Sequence, residues 1–404
     1  MLRDDRLVRL DDLVEEYLPA LRGRDLVSKD SPRPTVRHLL TMSGGLVEDD
    51  PWADRQLAMS LASFDELLQS PIHFNRAPGI AFEYSNLGYA MLGRIVEIAS
   101  GKPLPQFAQE RLFGPLDMTS TTFEVGEVSS GRRAHGYRAS AEGWAPEEAL
   151  HHGAFGAMGG VWTTVPDFAK YVAFHLSAWP PRDGPDLSPM CRSSRREMQQ
   201  PQRVVHDDKS TGPDLGGLGY GMGLMGAHHR RLGQVVSHSG GLPGFGSHVE
   251  WLPDCGVGVV AFANLTYAPM RMVVRLAFEK LEEMGCLSAR LDAASGDLRR
   301  GQALVGTLYR SWDGRLLAEG AADNLFLDRD LETRARDFAD LRAAFGQCTE
   351  VGPLRVEGHL RATWTMSCQR GQVGCRLWLS PTNPPRIQVL SLEGLGVKSP
   401  TKGL

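Results

Sequence analysis

No two cysteines of this chain stand in a C-x-x-C arrangement, which removes the usual signature of a zinc ribbon or a thioredoxin-like redox centre. The histidines, including the pairs His151–His152 and His228–His229, lack the i,i+4 spacing of a helical metal motif such as H-E-x-x-H. No metal and no other cofactor is therefore expected. Apolar runs are short: GVGVVAFANL, residues 256–265, falls well below the roughly 20 residues of a transmembrane helix. The net charge of -4 is spread without a block of one sign, so nothing electrostatic calls for nucleic acid or an anionic membrane as a partner. The opening MLRDDRLVRLDD carries charges where a signal peptide carries an apolar segment; as written, the chain is expected to stay in the cytoplasm. No internal repeat is visible.

What is present is ordinary for a globular protein, at 42% hydrophobic and 23% charged residues. The 404 residues suit two domains, or one large domain with an appendage. The six cysteines are Cys191, Cys255, Cys286, Cys348, Cys368 and Cys375. The last three cluster, and two readings stay open: scattered buried thiols, or one local disulfide in an exported protein.

Periodicity places the elements. VRLDDLVEEYLPAL (8–21) and TVRHLLTMSGGL (35–46) have helical period, the second ending at its glycine pair. SFDELLQSPI (63–72) reads as a helix capped by Ser63. NLGYAMLGRIVEIAS puts Leu87, Met91, Ile95 and Ile98 on one helical face and stops at Gly101. TVPDFAKYVAFHL (164–176) is a helix with Pro166 in its first turn, and the rest of 144–223 reads as long loops. From residue 231 three strand-like runs, RLGQVVSH, GSHVEWLP and GVGVVAFAN, follow so closely that they must pair antiparallel, and a helix over 268–285 covers one face. A second unit is expected from Leu287, with helices at 299–311 and 331–345 and period-2 segments at 359–368 and 375–381. The expected division is 1–286 and 287–404, and the class is α+β throughout.

The stretch FEYSNLGY, residues 82–89, carries the chemistry. Ser85 precedes a helix, as an N-cap does. The neighbours Tyr84 and Asn86 are too bulky for the sharp G-x-S-x-G turn that presents a nucleophile. Tyr84 by itself reads as a half-buried aromatic, and His238 by itself as a polar residue ending a strand.

Together with its context, APGIAFEYSNLGYAMLGRIVEIASGKPL closely resembles the serine β-lactamase and penicillin-binding-protein superfamily, in its class C, esterase and D-aminopeptidase branch. The resemblance extends to RLVRLDDLVEEYLP, VRHLLTMSGGL, GAMGGVWTTVPDFAKY and HSGGLPGF, in the family's order over roughly the first 280 residues. It implies a β-lactamase/transpeptidase-like fold, an antiparallel sheet flanked by helices plus a helical subdomain, here lacking its N-terminal strands. The family's Tyr-x-Asn matches Tyr84–Ser85–Asn86, and its Lys/His-x-Gly matches His238–Ser239–Gly240. The resemblance thus implies Tyr84 as general base and later acid, and Asn86 bound to the carbonyl side of the substrate. His238 would sit on the inner edge strand, with the Gly241 N–H as half of an oxyanion hole and Gly240 giving close approach. A phenol of pKa near 10 needs positive charge beside it for this work.

One departure stands out. The family's nucleophile is a serine in Ser-x-x-Lys, and the alignment puts it roughly three helical turns before Met1. The single Ser-x-x-Lys present is Ser399–Lys402. Three readings follow: an acyl-transfer hydrolase whose start lies upstream, a pseudoenzyme binding a ligand or partner through the old cleft, or takeover by a serine such as Ser43 or Ser239. The third requires an activating base within hydrogen-bond reach. In family members that handle β-lactams, the position of His238 is usually a lysine that helps hold the substrate carboxylate. Histidine weakens that anchor, so small ester or D-amino-acid peptide and amide substrates are expected ahead of β-lactams. Family members are often exported, any signal peptide then lying upstream. The oligomeric state is left open.

Overall fold

The computed structural model describes residues 1–186, 188–205, 215–288, 290 and 294–395. The chain divides into two compact units, Met1–Arg290 and Leu291–Leu404.

The first unit contains a two-stranded ribbon, β1 (Gly136–Ser140) and β2 (Gly143–Glu147). Its main sheet is antiparallel, in the order β3 (Arg203–Val204), β4 (Leu215–Tyr220), β5 (Met225–His229), β6 (Gly233–Leu242), β7 (Phe245–Leu252) and β8 (Val257–Ala263). Successive residues of a strand face opposite sides, and both sides are covered. Val236 and Trp251 pack with Val172 of the helix Val165–Leu176, whereas Val235 and Leu252 pack with Val274 and Phe278 of the helix Met270–Glu283. A separate helical core gathers Phe64, Leu68, Met91, Ile95 and Phe155. Each such fully buried side chain contributes about 1.5–3 kcal/mol.

The local signals hold best for the helix Asn86–Ser100. Ser85 is its N-cap, accepting from the Gly88 N–H at 3.2 Å, and Gly101 ends it at φ 70, a conformation glycine adopts without steric cost. Elsewhere the periodicity overreached. The run 8–21 forms only Val14–Tyr17 and a 3-10 turn Pro19–Leu21, because Leu13 bridges to Thr35 in extended form before the helix begins. The helix read over 35–46 stops at Leu40, short of the glycine pair, and Met42 takes a positive φ. Ser60, not Ser63, caps the helix Leu61–Gln69, its hydroxyl accepting from the Ser63 N–H at 3.1 Å. Strands β3 and β4 and most of β2 fall inside 144–223, which was expected to be loops and helices. β4, LGGLGY, has little intrinsic strand preference and owes its form to pairing with β3 and β5.

The second unit packs helices Gly296–Arg310 and Leu331–Phe345 with an antiparallel sheet of β9 (Cys348–Val351), β10 (Arg355–Gly358), β11 (Arg361–Cys368), β12 (Gly371–Leu379) and β13 (Ile387–Leu395). Leu298, Val305, Leu308, Phe338, Trp364 and Leu377 form its core. Cys348 of β9 is disulfide-bonded to Cys368, its partner on β11. Cys375 stays a buried thiol, and burial pushes its pKa up to about 12. Among the described residues no helix is long and apolar enough to cross a membrane.

Candidate active site

A cleft of 1440 Å³ in the first unit is lined by Tyr84, Asn86, His238, Gly240 and Gly241 together. Residues more than 150 positions apart in sequence thus share one wall-to-wall space, and two local arrangements place them.

The first is the entry to the helix Asn86–Ser100. The Asp49 carboxylate accepts from the Asn86 N–H at 2.7 Å, from the Leu87 N–H at 2.9 Å and from the Ser85 hydroxyl at 3.2 Å. A carboxylate at a helix N-terminus satisfies free N–H groups and complements the dipole. Ser85, 4% exposed, is spent on this network. The Asn86 side chain donates its Nδ2 to Asp50 at 2.5 Å. Tyr267 donates its hydroxyl to Asp54. Burial raises the pKa of all three aspartates, helped at Asp50 by its acidic neighbours, so that Asp50 reaches about 6.

The second is the free half of β6. β5 pairs with β6 only as far as Ser237, while β7 pairs with it through to Leu242. β6 is therefore an interior strand as far as Ser237 and becomes an edge from His238 onward, a refinement of the expected edge position. Both glycines are closely packed: a Cβ on Gly241 would lie 2.4 Å from the Tyr267 ring, and one on Gly240 would lie 2.3 Å from Ser247 Oγ, a hydroxyl that can rotate aside.

Tyr84 lies between the two. Its ring centroid is 6.1 Å from that of His238 and 6.4 Å from that of Tyr220, edge-on to the latter. Burial, with Asp50 as the next cause, raises the Tyr84 pKa far above that of a free phenol. Where the resemblance implies positive charge, the carboxylates of Asp50, Asp54 and Asp49 act on the ring, and Tyr84 is a neutral phenol here. His238 is also neutral, since burial lowers its pKa. Its Nδ1 lies 2.5 Å from the Ser239 carbonyl oxygen, which can only accept, so Nδ1 carries the proton.

The two replacement serines differ. Ser43 is 1% exposed and its hydroxyl faces Thr41 at 2.9 Å and the His38 carbonyl, with no base in reach among the described residues. Ser239 is exposed, and its Oγ lies 2.8 Å from Nδ1 of His248. The motif Ser399–Lys402 lies outside the described residues. Sequence reasoning missed Asp49, Asp50, Asp54, Tyr220, Tyr267 and His248. The acidic run EDDPWAD (48–54) was the one available hint. No group of three or more His, Cys, Asp or Glu among the described residues is placed to hold a metal ion.

An antiparallel sheet between two helical layers, with a cleft at the strand edge opposite a tyrosine before a helix, is the architecture that the sequence resemblance implies. The family model described as Beta-lactamase matches residues 1–282, and the chain belongs to that family. Its fold is β-lactamase/transpeptidase-like, followed by an additional C-terminal domain with a sheet. The chain is similar to the octameric penicillin-binding protein homologue from Pyrococcus abyssi, at 18% identity and a TM-score of 0.58, over 96% of this chain and 84% of that one. It is 25% identical over 283 residues to the D-alanyl-D-alanine-carboxypeptidase/endopeptidase AmpH of Escherichia coli (strain K12), covering 67% of each. It is also 25% identical over 231 residues to the Unguisins hydrolase ungD' of Aspergillus campestris (strain IBT 28561), covering 55% of this chain and 41% of that protein. The chain thus spans less than half the length of that relative.

Proposed function

We propose that this chain is a hydrolase of the acyl-transfer type, acting on small esters or D-amino-acid amides and peptides in preference to β-lactams. The observation that carries this reading is the convergence of Tyr84 and Asn86 with His238, Gly240 and Gly241 on one cleft. In this reading Asn86 holds the carbonyl side of the substrate, and the Gly241 N–H meets the developing oxyanion. Tyr84, a phenol, gives a proton to the leaving group as the acyl group passes to a serine of the kind that the family's Ser-x-x-Lys supplies, and takes that serine's proton when a cation comes beside it. Asp50 and Asp54 line the same cleft, which favours a substrate with a free ammonium group near the scissile bond. Such an ammonium would also bring Tyr84 a positive charge that opposes the carboxylates. The neutral His238 in place of a lysine supports the preference against β-lactams. The relatives named as a hydrolase and as a D-alanyl-D-alanine-carboxypeptidase agree with the class.

A second reading, a protein that binds such ligands without turning them over, is favoured by one observation: the carboxylates of Asp50, Asp54 and Asp49 all act to raise the Tyr84 pKa. The test is steady-state kinetics of the full chain on p-nitrophenyl acetate, D-alanyl p-nitroanilide, its N-acetyl derivative and a chromogenic cephalosporin. The first reading expects kcat/KM highest for the ester or the free-amine anilide, with N-acetylation costing about tenfold, or roughly 1.4 kcal/mol. A cephalosporin turned over faster than both would overturn it. Saturable binding of the anilide with no turnover of any substrate would select the second reading.

A further inference from the structure

Outside the Tyr84 arrangement, β6 and β7 hold a second set of groups with the chemistry of nucleophilic catalysis. Ser239 and His248 are paired across the two strands, and Glu250 lies two residues further along β7. With the period-2 alternation of strands, Ser239, His248 and Glu250 share one face of the sheet. Ser239 is exposed and lines the cleft. Its Oγ is 2.8 Å from Nδ1 of His248, and Nε2 of His248 is 3.6 Å from Oε2 of Glu250.

The burial of the three groups runs in the order a relay needs. His248 is 3% exposed, and its Nε2 has no hydrogen-bond partner although it is shut away from solvent. A buried ring nitrogen with nothing to bond costs stability unless it has a role or a partner that closes on it. The nearby carboxylate is such a partner: it favours the tautomer with the proton on Nε2 and leaves Nδ1 free to accept from Ser239. A serine joined to a base, and the base oriented by a carboxylate, is the arrangement that activates a hydroxyl, and it is recognised by geometry and roles, not by order in the chain. Ser239 also lies in the strand half that β5 leaves unpaired, so an electrophile can approach it.

We propose that Ser239, His248 and Glu250 form a serine nucleophile centre of their own, accepting acyl groups from activated carboxylic esters. In the step, Ser239 Oγ forms a bond to the carbonyl carbon while its proton passes to Nδ1 of His248. The Glu250 carboxylate draws toward Nε2–H and stabilises the imidazolium. The ester's alkoxide leaves with the proton returned by His248, and water repeats the sequence to free the acid and Ser239. This centre does not depend on Tyr84, so it stands apart from the reading above.

The test is labelling of the folded full chain with a fluorophosphonate, which transfers its phosphonyl group to an activated serine with release of fluoride. Peptide mass spectrometry should place the adduct on Ser239 and find that peptide unlabelled in Ser239→Ala. Labelling should slow at least about 100-fold in His248→Gln. Because His248 is buried and that variant can fail to fold, Glu250→Gln, at a partly exposed side chain, is measured beside it and should slow labelling about tenfold. Absence of an adduct at Ser239, or labelling of folded Glu250→Gln at the wild-type rate, overturns the proposal. An adduct on another serine of the chain sinks this centre while leaving the hydrolase reading intact, so the two fail separately.

Discussion

The phenolic O–H of Tyr220 lies 3.3 Å from Nε2 of His238, and because Nδ1 already holds the ring proton against the Ser239 carbonyl, Tyr220 is the donor. Tyr220, 1% exposed, thereby ties the imidazole to one neutral tautomer. Position 238 offers the cleft a lone pair engaged by a phenol where a lysine would offer a charge. Replacing His238 by Lys should raise the ratio of kcat/KM for a chromogenic cephalosporin to that for p-nitrophenyl acetate about tenfold, equivalent to roughly 1.4 kcal/mol. An unchanged ratio would mean that charge at this position does not set the preference.

Tyr84→Phe removes the hydroxyl but keeps the ring packed against Tyr220 and His238. The hydrolase reading expects kcat/KM on the preferred substrate to fall about 10²–10⁴-fold, the usual contribution of a general acid–base group, with little change in Tm. A fall confined to KM would assign Tyr84 to binding alone.

Asp50 gives a pH dependence with a definite sign. Its folded-state pKa is raised from 3.8 to about 6, chiefly by burial. The folded protein therefore holds the proton more tightly than the unfolded chain does. That stabilisation is complete below the unfolded value and is lost as pH rises through about 6. Asp50→Asn should make the protein more stable than wild type at pH 8, by on the order of 1 kcal/mol after solvent screening is allowed for. The advantage should vanish near pH 4, which thermal melts at the two pH values would decide.

Asp49 holds the helix entry on which Asn86 depends. Asp49→Ala leaves the Asn86 and Leu87 N–H groups and the Ser85 hydroxyl without their acceptor. Hydrogen bonds to a charged group contribute about 1.5–3 kcal/mol, and a loss of that size in urea unfolding is expected. A loss below about 0.5 kcal/mol, typical of surface substitutions, would show that water replaces the carboxylate.

In the second unit, the Cys348–Cys368 bridge closes a loop of sequence separation 20. Loop-closure entropy of that size corresponds to about 3 kcal/mol. The double variant Cys348→Ser, Cys368→Ser should lower the unfolding midpoint of the unit Leu291–Leu404, and dithiothreitol should do the same to the wild type while leaving the variant unaffected.

Sequence by itself determined the elements whose signals are local. The helix Asn86–Ser100, from its serine cap to its left-handed glycine, the helix Val165–Leu176 and the antiparallel run from β6 to β8 all follow from hydrophobic period, caps and short turns. The family resemblance rested on these same stretches. Tertiary structure alone decided the electrostatics of the cleft. Asp49, Asp50 and Asp54 reach the neighbourhood of Tyr84 and Asn86 from thirty or more positions away, and Tyr267 reaches Asp54 from the far end of the unit. No periodicity records such pairings, because a pKa depends on burial and on which charges lie within a few ångströms. The same holds for β4, where pairing with neighbours overrides a glycine-rich sequence, and for His248, which meets Ser239 only through the register of β6 on β7.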